Sequence, residues 1–130
     1  MANLFSREEA EALIPRITPL LEALQVLAQQ LEGHEREVAM LQLHARGNGK
    51  TSNNEMERKQ AELDQLRARV HSQVMEIHEL GVEVKDLSMG LIDFPSLRDG
   101  RTVSLCWKLG ENGIGYWHDL DAGYAGRQPL

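Results

Sequence analysis

Aromatic residues are scarce in this sequence, at 5% of the chain. Their placement is lopsided: Phe5 stands alone near the start, and every other ring lies at Phe94 or beyond. A long stretch without rings therefore precedes an aromatic-containing tail, which divides the chain before any motif is considered. Cysteine is nearly absent. The single Cys106 excludes an intramolecular disulfide and suits a reducing compartment. No basic-then-apolar leader is seen, and no apolar run approaches the roughly 18 residues of a spanning helix, so neither secretion nor membrane insertion is expected. The expected location is cytoplasmic. Positive charge is in deficit: 14 Lys and Arg against 20 Asp and Glu leave a net charge of −6. That argues against nucleic acid or an anionic membrane as partner, because both need a basic footprint. What remains is an ordinary globular composition, 42% hydrophobic and 26% charged over 130 residues. It is too apolar for a disordered chain and long enough for one domain with its own core.

The first part of the chain has helical periodicity. Ser6-Arg7-Glu8-Glu9 is a capping box, in which Ser6 accepts from the third helical amide and Glu9 reaches back. Pro15 and Pro19 follow and disfavour helical geometry at Ile14 and Thr18. They leave two alternatives open: one kinked helix, or a second helix beginning at Thr18-Pro19. From there Ile17, Leu24, Leu31 and Val38 recur every seven residues, interleaved with Leu20, Leu27, His34 and Leu41. This is the narrow seam of a coiled-coil-like helix. It is expected to end at the polar loop 46–54, after which Met56, Leu63, Val70 and Ile77 repeat the spacing with Leu66 and Leu80 beside them. Two such stripes joined by a short loop predict an antiparallel helical hairpin over residues 1–80, with Gly81 as the final cap.

Beyond Gly81 the period falls to two. Val82–Lys85, Leu91–Phe94, Thr102–Lys108 and Ile114–Trp117 read as four short strands of an antiparallel meander, with turn residues between them. The fold class expected is α+β, the β unit of residues 81–130 joining the hairpin in one domain. In the register expected here Val82, Val84, Ile92, Phe94, Val103, Leu105, Trp107, Ile114 and Tyr116 face the helices. Glu83, Lys85, Asp93, Ser104, Cys106 and Trp117 take the other face. The segment from His118 to Leu130 is aperiodic and is expected to form an ordered loop.

The same residues carry a resemblance. Gly81-Val-Glu-Val-Lys-Asp86, Leu91-Ile-Asp-Phe-Pro95, Arg98-Asp-Gly-Arg101, Leu105-Cys-Trp107, Gly115-Tyr-Trp-His-Asp-Leu-Asp-Ala-Gly123 and Gly126-Arg-Gln-Pro-Leu130 follow one another in the order of an uncharacterised family. The chain resembles that family, the domain of unknown function numbered 2203, from Leu4-Phe5 through Pro15 and Pro19 to its last residue. The resemblance implies membership and no activity.

Candidate chemistry is sparse. Gly47-Asn-Gly-Lys-Thr51 has the last residues of a phosphate-binding loop, but His44 stands where that loop needs glycine and two helices would flank it, so a passive connector is expected. His34 in the seam suits the polar register-setting residue of a paired helix. His44, His71 and His78 lack the spacing of a helical metal site. Cys106 has no identifiable His–acid partner in sequence and reads as an inert strand cysteine. Glu83 and Asp93 face one another across two strands, with Lys85 and Arg101 near enough to make ion pairs.

The tail holds the densest set. His118, Asp119 and Asp121 fall within four residues, and imidazole with carboxylate suits zinc, manganese or iron. Those three residues with Glu83 are the candidate metal ligands. Asp93 and Arg127 are candidates for binding a ligand or ordering the loop, and Asp121 is the expected partner of an inward His118.

Two functions are therefore expected to compete. The favoured one is a non-enzymatic interaction or scaffold protein that forms a homodimer through its helices or binds another protein. The alternative is a small metal- or ligand-binding protein, an enzyme or not, with its site at His118–Arg127.

Overall fold

The computed structural model describes residues 4–48 and 53–130, with side chains described for 4–44 and 54–130. Two helices lead into a five-stranded antiparallel sheet. They are α1 (Arg7–Asn48) and α2 (Asn53–Glu79), followed by β1 (Glu83–Asp86), β2 (Leu91–Arg98), β3 (Arg101–Lys108), β4 (Tyr116–Asp119) and β5 (Gln128–Pro129). A single 3₁₀ turn, Tyr124–Gly126, separates the last two strands.

The capping box closes as its residues require: Ser6 Oγ accepts from the Glu9 amide at 3.1 Å, and Glu9 Oε1 accepts from the Ser6 amide at 2.9 Å. The prolines do not divide the helix. α1 runs unbroken through Pro15 and Pro19, both exposed, so the missing amides lie on the solvent side. Thr18 Oγ1 donates to the Ile14 carbonyl at 2.7 Å, a contact common where a helix bends. α1 also continues three residues into the stretch 46–54, through Arg46, Gly47 and Asn48, and α2 begins at Asn53. Residues 49–51 of the phosphate-loop-like stretch Gly47–Thr51 lie outside the described residues.

The helices run antiparallel, tied by Lys59 to Glu37 at 3.4 Å and Arg67 to Glu35 at 3.3 Å. The seam is buried unevenly. Ile17, Leu24, Leu27, Val38, Leu63 and Ile77 are buried, whereas Leu31, Leu41 and Leu66 are only partly covered. Ala10, one repeat before Ile17, and Leu21, outside the repeat, are fully buried. Both belong to a core cluster that takes in Ile77 of α2 and the sheet residues, so the first half of α1 presents a wider apolar face than a two-helix seam needs. α2 ends where Gly81 takes φ 91°, its amide bonded to the His78 carbonyl at 2.9 Å.

The sheet is a meander in chain order, each strand paired antiparallel with the next. Arg98 and Arg101 close the β2–β3 hairpin around Asp99-Gly100, both at positive φ (52° and 80°), the geometry of the tight two-residue turn. The fifth strand lies in the segment expected to be a loop: Gln128 pairs with Trp117 and Pro129 with Tyr116.

The expected register holds for β1 to β3 and fails for β4. Leu105 pairs with Trp117 and Cys106 with Tyr116. Trp117 therefore joins the core with Ile92, Phe94, Val103, Leu105 and Trp107, while Tyr116 and His118 take the opposite face. The cause is local. Ile114 is buried in the core but precedes the strand, and Gly115 lies between them, so the period of two does not run from Ile114 into β4.

Candidate metal centre beneath the C-terminal segment

The sheet face turned away from the helices is covered at its centre, where Asp93, Cys106 and His118 are buried, and exposed at its edges. On it lie Glu83, Asp93, Cys106, Tyr116 and Pro129, opposite one another across all five strands. His118 sits on the same face, one pair along, opposite Ser104. The segment after β4 folds back over this row. Arg127 holds it there: its guanidinium donates to Glu111 Oε1 at 2.6 Å and to the Cys106 carbonyl at 3.2 Å. It also stacks over Tyr116 and Tyr124, 4.1 and 4.9 Å from the ring centroids. The Leu130 amide bonds to the Gly115 carbonyl at 2.9 Å. An ordered C-terminal segment was expected, but Arg127 fixes it through Glu111 rather than through Asp121.

Burial alone would push the Glu111 carboxyl up, but hydrogen bonds from Arg127 and the Lys108 amide outweigh it and hold it below the usual carboxylate range. The guanidinium loses solvation by burial and regains more from Glu111, so its own pKa rises.

Beneath this cover Asp93, Cys106 and His118 converge. Each offers one ligand atom, all within 4.8 Å of one another. Asp93 and His118 are each 2% exposed and Cys106 is fully buried. Asp93 comes from β2, Cys106 from the facing position on β3, and His118 from β4, one strand further on. Their meeting thus depends on the register of three strands.

His118 does not meet Asp121. Its Nε2 lies 3.0 Å from Asp93 Oδ2, and its Nδ1 lies 2.8 Å from the Asp119 carbonyl. A carbonyl only accepts, so Nδ1 carries a proton, and Nε2 is the ring atom turned towards the carboxylate. The Nε2–Oδ2 contact is ionic in reach but out of line for a hydrogen bond. Both Asp93 carboxylate oxygens are buried and neither makes a well-formed hydrogen bond among the described residues, the Cys106 thiol being the donor beside them. A carboxylate so placed against Nε2 needs positive charge on the ring or between the two groups. The Cys106 thiol is pushed up to about 12, first by burial and then by the Asp93 charge, which Arg127 only partly offsets. It is a neutral thiol at ordinary pH and no nucleophile by itself.

The other candidates lie outside this cluster. Glu83 faces Asp93 in register but pairs with Lys85 Nζ at 2.7 Å. Asp119 pairs with Arg101 at 3.0 Å and lends His118 its carbonyl, not its carboxylate. Asp121 lines a cavity of about 220 Å³ shared with Asp93 and His118, together with Lys85, Leu91 and Tyr124. Cys106 was not read as part of such a cluster because no His or acid is close to it in sequence. The available signal was its facing position to Asp93.

No helix among the described residues is long and apolar enough to cross a membrane. No curated protein and no solved structure matches the chain significantly. One family model does, that of an uncharacterized conserved protein (DUF2203), and it spans residues 3–130. It takes in α1, α2, all five strands and the Asp93–Cys106–His118 cluster, and the chain belongs to this family.

Proposed function

We propose that the protein binds a divalent transition-metal ion, of which zinc fits best, through Asp93 Oδ, Cys106 Sγ and His118 Nε2. The observation that carries this is the Asp93 carboxylate, buried with neither oxygen in a well-formed hydrogen bond and 3.0 Å from an imidazole nitrogen. A cation relieves that conflict. Tetrahedral zinc with ordinary bond lengths holds its ligand atoms about 3.3–3.6 Å apart. The 4.8 Å limit on this cluster therefore asks for side-chain adjustment rather than strand movement. The charges also balance: a 2+ ion with one carboxylate, one thiolate and a neutral imidazole forms a buried centre of zero net charge. A thiolate among the ligands favours zinc, cobalt or iron over manganese. The Nδ1–carbonyl bond supplies the outer support that metal-ligating histidines commonly have.

Thermal unfolding with zinc and with chelator tests this. One equivalent should bind per chain and raise the melting temperature of the parent, by about 2.7 kcal/mol of stability at a hundredfold excess over Kd. Cys106→Ser and His118→Ala should lose most of that gain. A parent indifferent to zinc, or variants that gain as much as the parent, would show Asp93 and His118 to be a buried ion pair and nothing more.

A second reading, self-association through the helices, has its own support. Val26, Met40 and Leu43 are exposed on α1, and Val26 and Met40 lie two heptads apart with Gly33 midway, beside open space. That stripe fits a second copy of the same helix. Sedimentation at micromolar concentration should give twice the monomer mass, and Met40→Glu should return it to one; a parent that stays monomeric removes the idea.

A further inference from the structure

We infer that the metal centre keeps one coordination position open to the cavity beneath the C-terminal segment, where it holds water or a small anion. The inference rests on the metal reading above. Among the described residues three side chains offer a ligand atom each, one short of the four that zinc takes in closed structural sites. Asp93 and His118 line the cavity, whereas Cys106 lies beneath it, so the missing position faces the cavity rather than the core.

The volume limits the ligand. About 220 Å³ is below the usual range for drug-sized ligands, which starts near 300 Å³. The lining sets its chemistry. Lys85 places an ammonium at the wall, already held by Glu83, and Asp121 makes no hydrogen bond or ion pair among the described residues. Asp121 is thus free to accept a hydrogen bond from a metal-bound water, and its charge opposes any anion that displaces that water. The ligand class is water, with small monodentate anions as competitors. A site of this form can activate what it binds and is not merely a staple.

Cobalt(II) makes the site visible, because tetrahedral cobalt–thiolate centres absorb in the visible and near-ultraviolet. Cobalt added to the metal-free parent should produce these bands, and azide should shift them saturably. Asp121→Asn should tighten azide severalfold, since a negative charge leaves the cavity. Cobalt bands that ignore azide would overturn the open position and leave the metal centre standing. An azide response unchanged in Asp121→Asn would place the anion outside this cavity and overturn the assignment. No cobalt–thiolate band in the parent would remove the metal reading, and this inference with it.

Discussion

At the scale of single residues, His118 and Asp93 have little freedom to change. Each is buried, and removing either leaves the other polar group with no compensation at that contact. In chelator, His118→Ala should therefore destabilise the protein by about 3 kcal/mol in a denaturant titration. A loss below about 0.5 kcal/mol would mean that the pair is not held as described. Glu111 makes a prediction of opposite character, in pH. Its folded pKa lies below the ordinary value of 4.5, so it contributes stability above that value and loses the contribution as pH falls through the folded pKa. Stability of the parent relative to Glu111→Gln should accordingly shrink as the pH drops below 4.5. A difference that stayed constant down to the acid transition would contradict the Arg127 clamp. Arg127 itself stays charged throughout, its pKa being raised from an already high value.

At the scale of elements, the turns carry the meander. Gly90 sits at φ 67° before β2, and a Cβ there would lie 2.5 Å from Leu109 Cβ. The turn around it is tied to α1, because Gln25 Nε2 donates to the Leu87 and Ser88 carbonyls. Gly90→Ala should cost about 2–4 kcal/mol, combining left-handed strain with overpacking, as read from the shift in urea midpoint. Gly100→Ala, at φ 80° with nothing within 4 Å, should cost only the conformational part, about 1 kcal/mol. Equal losses in the two variants would mean that the Leu109 contact is irrelevant. The elements also show where sequence periodicity is a sufficient guide. Seven-residue spacing found both helices, and alternation found β1 to β3, because those segments each turn one apolar face to the core. It failed at β4, where Ile114 is in the core but outside the strand, and that single offset reversed Tyr116, Trp117 and His118 together. It missed β5 because two residues, one of them proline, cannot display a period. Of the two alternatives that Pro15 and Pro19 left open, a single helix and a boundary between two, the single helix holds, with both prolines facing solvent.

At the scale of the whole molecule, the division of labour is between the two faces of one sheet. The helices cover one face with apolar side chains, and the C-terminal segment covers the other over Asp93, Cys106 and His118. The densest chemistry in the sequence was sought near His118, and the side chains that converge on it come from other strands, 25 and 12 residues earlier. No spacing rule brings Asp93, Cys106 and His118 together, because cross-strand register and not local sequence sets their distances. The same tail residues that looked like ligands, Asp119 and Asp121, prove to belong to the rim and the cover. The central claim is the identity of the atoms around the ion, and X-ray absorption at the zinc edge reads them directly. For the protein loaded with one equivalent of zinc the account predicts one sulfur at about 2.3 Å and two or three nitrogen or oxygen atoms at about 2.0–2.1 Å. The sulfur should be lost in Cys106→Ser. A shell of nitrogen and oxygen alone in the parent would contradict it.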